Sequence, residues 1–290
     1  MTPQELAGEV STLFTLPDLV MRACTVMDSP TATAQDLVEV VELDANLAVT
    51  VLRLANSALY GGRARIDTLT RAVTLIGHDA LRDLVLATAA VRTFRDIPAE
   101  FVDMDTFWEN STTCGVLASL IADYVRLREG EALFLAGLLH GVGRLVFYVR
   151  RPTEFREVLR RVQVNRMDLC AAEQRVFGFS HAELGAALLE IWHLPEKLHI
   201  AVRYQLDPAA APAFAREVAV VHLASDMAAN MAPSLKTDRE AEPYIPDSRA
   251  HHSLQLLGLT PAALAEIRLE AMAASLEVIE ILQPRTGIHY

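Results

Sequence analysis

Apolar residues in this chain recur at helical spacing. Leu47, Val51, Leu54, Ala55 and Ala58 fall on one face, as do Leu81, Leu84, Val85 and Thr88. Helix-start signals punctuate the pattern. Thr2-Pro3-Gln4-Glu5 supplies a cap, a proline at the first helical position and a glutamate placed to close a capping box. Thr33-Ala34-Gln35-Asp36 is a weaker version, Ser180-His181-Ala182-Glu183 is a full box, and Thr260-Pro261 opens the last long helix. No segment alternates with period two between hairpin turns. The pattern predicts an all-α protein with about a dozen helices and short connections.

Two places interrupt it. Phe94-Arg95-Asp96-Ile97-Pro98 separates an N-terminal helical bundle, residues 1–98, from a longer helical segment, residues 99–232. The break holds no flexible Gly/Ser linker, so the two parts are expected to pack into one body. A polar, proline-bearing stretch from Met231-Ala232-Pro233-Ser234 to Pro243-Tyr244-Ile245-Pro246 reads as a loop, which leaves residues 233–290 as loop and terminal helices.

Composition narrows the class. Apolar residues make up 52 % and aromatics only 6 %, enough to bury a sizeable core and in a mix that favours helix. The formal charge of −11 repels phosphate backbones, so general nucleic-acid binding is not expected. Cys24, Cys114 and Cys170 are far apart and form no Cys-x-x-Cys pair, which supports neither a zinc ribbon nor a disulfide framework and fits a reducing cytoplasm. The Met1-Thr2-Pro3-Gln4-Glu5 start lacks the basic and apolar regions of a signal peptide. No apolar run is read as reaching the roughly 18 residues that span a membrane, so no membrane contact is expected.

The chemistry concentrates in Ala132-Leu133-Phe134-Leu135-Ala136-Gly137-Leu138-Leu139-His140-Gly141-Val142-Gly143, where an imidazole ends an apolar helical run. This stretch resembles the Leu-Leu-His-Asp-Ile-Gly motif of the HD metal phosphohydrolases, in which the His-Asp pair binds divalent metal. Here Gly141 stands at the Asp position, and Asn110 stands at that of the first HD-family His. The N-terminal half carries Asp44-Ala45-Asn46-Leu47, Leu52-Arg53-Leu54-Ala55-Asn56-Ser57-Ala58-Leu59-Tyr60-Gly61 and Ala72-Val73-Thr74-Leu75-Ile76-Gly77. The C-terminal half adds Phe107-Trp108-Glu109-Asn110-Ser111, His181-Ala182-Glu183-Leu184-Gly185 and Trp192-His193-Leu194-Pro195. Together these resemble the HDOD domain, the HD-related output domain of bacterial signalling proteins. The resemblance implies an all-helical fold, an N-terminal bundle packed on a degenerate HD-like domain, and cytoplasmic signalling without secure enzymatic activity. No response-regulator, GGDEF or EAL module is visible, so it implies a stand-alone HDOD protein.

Of the implied ligand set His140 remains, with Asp226 as a further candidate, and His181 lies where some HD relatives carry another His. His222 and Asp226 are four apart and share a helix face. Glycine offers no ligand atom and asparagine is a poor ligand for transition metals, so no metal and no cofactor is expected. His140 reads as a buried, hydrogen-bonded core residue and His181 as a helix-start residue. Gly141→Asp with Asn110→His is expected to raise metal affinity, provided His140 points into a cleft. Asn56 reads as structural, bonding free carbonyls or the following turn at a helix end, with Gly61-Gly62 turning the chain. Trp192 reads as a core anchor and His251-His252 as surface. The cluster Arg150-Arg151, Arg156, Arg160-Arg161 and Arg166 is a solvated helix face by default, with Arg156 and Arg160 as the candidate anion contact.

Three functions stay open: a non-catalytic module that binds a protein partner of a bacterial signalling pathway, a nucleotide second-messenger receptor, and a degenerate metal phosphohydrolase. The lost ligands favour the first. No P-loop, Gly-x-Gly-x-x-Gly after a strand, His-Glu-x-x-His or Gly-x-Ser-x-Gly is present.

Overall fold

The computed structural model describes residues 1–10, 22–23, 25–26, 33–60, 66–94, 97, 102–127, 130–237, 244–246 and 248–284. Among these every regular element is a helix, with no strand. Helices α1 (Pro3–Val10), α2 (Ala34–Glu42), α3 (Ala45–Ala55), α4 (Leu69–Ile76) and α5 (His78–Thr93) come first. The next are α6 (Met104–Tyr124), α7 (Gly130–Leu139), α8 (Val142–Arg150), α9 (Pro152–Asn165) and α10 (Leu169–Phe177). Then follow α11 (His181–Ile191), α12 (Glu196–Tyr204), α13 (Ala215–Thr237), α14 (Ser248–Leu257) and α15 (Pro261–Leu282).

The start signals do what their residue types dictate. Glu5 N–H donates to Thr2 Oγ1 at 3.2 Å while Thr2 N–H donates to Glu5 Oε2 at 2.8 Å. Thr33 with Asp36, and Ser180 with Glu183, close reciprocal boxes, and the Thr260 hydroxyl accepts from Ala263 N–H. Asp44 caps α3 and also accepts from Arg92 Nη1 at 3.0 Å, which ties the start of α3 to the end of α5. Asn56 closes α3 structurally: its Nδ2 donates to the Leu52 and Ile66 carbonyls, and Ile66 N–H donates back to its Oδ1. Gly61-Gly62 lie outside the described residues. Gly77, at φ +91°, breaks the chain between α4 and α5 in a conformation that side chains rarely adopt.

Helix α6 is the axis of the core. Every residue from Ser111 to Ala122 is buried, under α7, α13 and α15. Helix α5 packs on α3, α4 and α7, and α1 crosses over to α11 and α8. One apolar cluster runs from Leu6 to Leu282, so the halves expected on either side of residue 98 share a single core. Of the break itself, Phe94 and Ile97 are buried in that core, while Arg95, Asp96 and Pro98 lie outside the described residues. Trp192 is buried as expected, 5.8 Å from the Phe94 ring centroid.

Two expectations need correction. Met231-Ala232-Pro233-Ser234 is helical, because α13 continues to Thr237. Burial of Met227, Ala228 and Met231 against the core outweighs the local breaker signal. Residues 238–243 lie outside the described set. The stretch Ala132–Arg150 is long and apolar enough to cross a membrane, contrary to the expectation, although 83 % of it is buried inside the fold and it turns at His140-Gly141 between α7 and α8.

Two helix crossings depend on missing side chains. A β-carbon on Gly137 of α7 would stand 2.8 Å from the Cys114 carbonyl of α6, and one on Gly115 2.7 Å from the Phe134 carbonyl. On the other side of the His140 turn, a β-carbon on Gly143 of α8 would stand 2.1 Å from the His181 carbonyl and 2.7 Å from Gly185 N of α11. These obstacles are backbone and cannot swing away. Gly143→Ala is expected to cost about 3 kcal/mol, the upper end for overpacking, and to lower Tm by roughly 5–10 °C in a thermal melt. Gly8→Ala, in open space within α1, should leave Tm unchanged or slightly raised.

Candidate functional site

Helix α7 ends in a turn at His140-Gly141, and α8 starts at once at Val142. A helix end leaves carbonyls without partners. His140 answers one of them with its own ring: Nδ1 lies 2.7 Å from the Gly137 carbonyl, and the residue is only 2 % exposed. Its carbonyl accepts from Gln205 Nε2 at 2.7 Å. The Gln205 carbonyl in turn accepts from His222 Nδ1 at 2.6 Å. The turn is thereby fastened to the end of α12 and to α13.

Burial pushes the His140 imidazole down to about 3, with the Arg144 guanidinium adding to the effect. His140 is therefore neutral, and its Nδ1 carries the proton that the Gly137 carbonyl accepts. Arg144 sits in the first turn of α8 and is half-buried. Its Nη2 lies 3.2 Å from the point where a β-carbon on Gly141 would project, and its buried Nε has no hydrogen-bond partner. The edge of Phe107, from α6, closes the same space at 3.3 Å.

His181 opens α11, as expected from its box. Its backbone N–H and its Nδ1 both meet Glu173 Oε2, at 2.9 and 2.7 Å, and Glu173 is fully buried in α10. His222 and Asp226 share α13 but face different partners, since Asp226 accepts from the Tyr244 hydroxyl. His140, His181 and Asp226 thus each have a protein partner of their own. Among the described residues no three His, Cys, Asp or Glu side chains converge as a cation site.

The arginine cluster is largely charge-paired. Arg160 and Arg161 both fork Glu157, at 2.7 and 2.8 Å, and Arg151 reaches Glu9 of α1 at 2.9 Å. Arg156 is exposed. His251 and His252 are also exposed, as expected.

The HDOD domain model matches residues 13–208. The chain belongs to the HDOD domain family. Among solved structures, an HDOD domain protein of unknown function from Geobacter sulfurreducens is 26 % identical with a TM-score of 0.73, covering 96 % of this chain and 97 % of that one. A Shewanella amazonensis SB2B protein that bears a provisional phosphohydrolase name is 25 % identical with a TM-score of 0.74, at the same coverage. A Marinobacter aquaeolei VT8 protein provisionally named for signal transduction is 26 % identical with a TM-score of 0.66, over 94 % of this chain and 60 % of that one. A curated protein of Treponema pallidum (strain Nichols) is 26 % identical over 212 residues, 71 % of this chain. This HDOD chain spans 40 % of that relative's length.

A divalent metal belongs to the HD pattern, and the residues of this HDOD protein do not fit one. The Arg144 guanidinium lies 3.2 Å from where the motif's carboxylate side chain would begin. The nearby buried carboxylate, Glu173, gives its Oε2 to His181, while its Oε1 is buried without a partner. Arg144, Glu173 and Gln205 escaped the sequence reading. Arg144 lies only three residues after Gly141, but nothing in Gly-Val-Gly-Arg says which way its side chain folds.

The condition for regaining metal by Gly141→Asp with Asn110→His is therefore unmet: His140 points at its own helix end, and the new carboxylate would meet Arg144. Calorimetric titration with Mn²⁺ should show no binding to that double variant.

The histidine also predicts a pH dependence. Its folded value lies below the ordinary value of about 6.5, so the unfolded chain binds the proton more readily. The stability contributed by neutral His140 is complete above about 6.5 and is lost as pH falls towards about 3. Asp83, pushed up to about 6 by burial, acts with the opposite sign in part of that window and is shared by both proteins compared. Urea midpoints between about pH 7 and about pH 4.5 should therefore fall more steeply for wild type than for His140→Gln.

Proposed function

We propose that this HDOD protein is a non-catalytic module of bacterial cytoplasmic signalling, acting by holding a protein partner. The observation that carries this reading is the Gly141–Arg144 pair: a residue without a ligand atom followed by a cation folded back against it. Metal-assisted hydrolysis needs a cation fixed by several ligands with one position open to water or substrate. His140 is held neutral against a carbonyl, and His181 is held by Glu173, which supports a structural use of both imidazoles. The relative named for signal transduction is consistent with the reading.

A second reading has one observation in its favour. The unpartnered Nε of Arg144 is a donor suited to an anion, so a phosphate-bearing messenger could be held without being cut. Thermal-shift screening with cyclic dinucleotides and (p)ppGpp separates the two, because a ligand that binds only the folded state raises Tm. A shift that disappears in Arg144→Ala would replace the partner reading.

Elemental analysis of untagged protein should find no stoichiometric transition metal. Assays with phosphomonoesters and phosphodiesters in Mn²⁺ and in Mg²⁺ should show no turnover. One metal per chain, with activity abolished by His140→Ala, would overturn the proposal.

A further inference from the structure

The closing helix α15 is apolar on two faces. Its inner face, with Ala263, Leu264, Ile267, Ala271, Ala274 and Val278, is buried on the body. A second row, Ala262, Ala265, Leu269, Met272, Leu276 and Ile279, repeats at three- and four-residue steps, the spacing of a helix-packing seam. Within that row Leu269 is 74 % exposed and Leu276 55 % exposed. A surface helix normally turns one apolar stripe inward and a polar face outward, so the exposed Ala262, Ala265, Leu269 and Leu276, with Met272 and Ile279 half-buried between them, call for a partner.

Charge selects the partner. The exposed charged residues of α15 are Glu266, Glu270, Glu277 and Glu280, all acidic, and its one cation, Arg268, is buried. At 100° per residue all four carboxylates fall along one flank of the seam. That flank borders a groove of about 660 Å³ between α3 and α15, lined by Val49, Leu52, Arg53, Asp67, Glu277 and Glu280 among others. Of its carboxylates, Glu277 accepts from Ala58 N–H at 2.9 Å and Asp67 pairs with Arg71 at 3.7 Å, so the acidic character of this side comes from Glu266, Glu270 and Glu280 on the flank. A second copy of this chain is a poor occupant. Antiparallel self-pairing sets Glu266 and Glu280 against their own equivalents, and parallel pairing turns them towards Arg268, Ser275 and Leu282, which are buried in their own protomer.

We propose that the outer face of α15 docks a basic amphipathic helix of a partner protein, its apolar residues on the Leu269–Leu276 seam and its Lys or Arg side chains over the acidic flank. The proposal rests on the protein-binding reading and fails separately from it, since metal-dependent turnover would remove that reading without touching this surface.

The test uses the full chain and two fluorescent synthetic helical peptides, one with a leucine seam flanked by lysines and one with every lysine replaced by glutamate. Fluorescence anisotropy should show saturable binding of the lysine peptide alone, weakened by added salt. Leu269→Gln with Leu276→Gln should weaken it about tenfold or more, as should Glu266→Gln with Glu280→Gln, each change of tenfold being about 1.4 kcal/mol. Leu43→Gln, at an exposed leucine elsewhere, should leave it unchanged. Circular dichroism checks that each variant is folded. Equal binding of both peptides, no binding of either, or indifference to the α15 variants would overturn the proposal. So would light scattering that finds a dimer which the Leu269/Leu276 variant splits into monomers.

Discussion

Backbone-to-backbone contact at the two ends of the His140 turn is the constraint on which the rest of this structure depends. Gly115 and Gly137 let α6 and α7 touch main chain to main chain, and Gly143 and Gly185 do the same for α8 and α11. Two close crossings so near in sequence leave the intervening residues little freedom. The turn therefore finds its hydrogen bonds inside the protein: Nδ1 of His140 on Gly137, its carbonyl on Gln205, and the Gln205 carbonyl on His222, while Gln205 Oε1 and His222 Nε2 stay buried without a partner. These hydrogen bonds join α7, α12 and α13 into one unit.

The electrostatics follow from that geometry. An imidazole held in an apolar interior beside a guanidinium stays neutral. A cation at Arg144 disfavours a second cation in the same space, and Gly141 provides no carboxylate to offset either. At the place where the HD pattern carries its His-Asp pair, His140 bonds the end of its own helix and Gly141 lies against Arg144 and Phe107. The surface features that suggest a partner lie elsewhere, on α15, where Leu269 and Leu276 face solvent beside Glu266, Glu270 and Glu280.

Local signals were legible wherever the physics is local. The Thr2, Thr33, Ser180 and Thr260 starts read correctly because a cap involves residues two or three positions apart. Asn56 read correctly as a helix-end clamp for the same reason, although its partner Ile66 lies ten residues on. The proline at 233 misled, because burial of Met227, Ala228 and Met231 is a tertiary term that propensity does not contain. Ala132–Arg150 was missed as a membrane-length run, and its break at His140-Gly141 comes from the crossings on either side of it.

By itself the sequence determined the all-helical class, the starts of α1, α2, α11 and α15, membership of the HDOD pattern and the glycine in place of the aspartate at 141, since all of these are written in residue types at short spacing. Tertiary structure alone decided that Arg144 folds back over Gly141, that Glu173 takes up His181, that Tyr244 takes up Asp226, and that one face of α15 stays open to water. Each of these depends on which helices cross and at what distance, and the crossings are set by core packing between segments tens of residues apart.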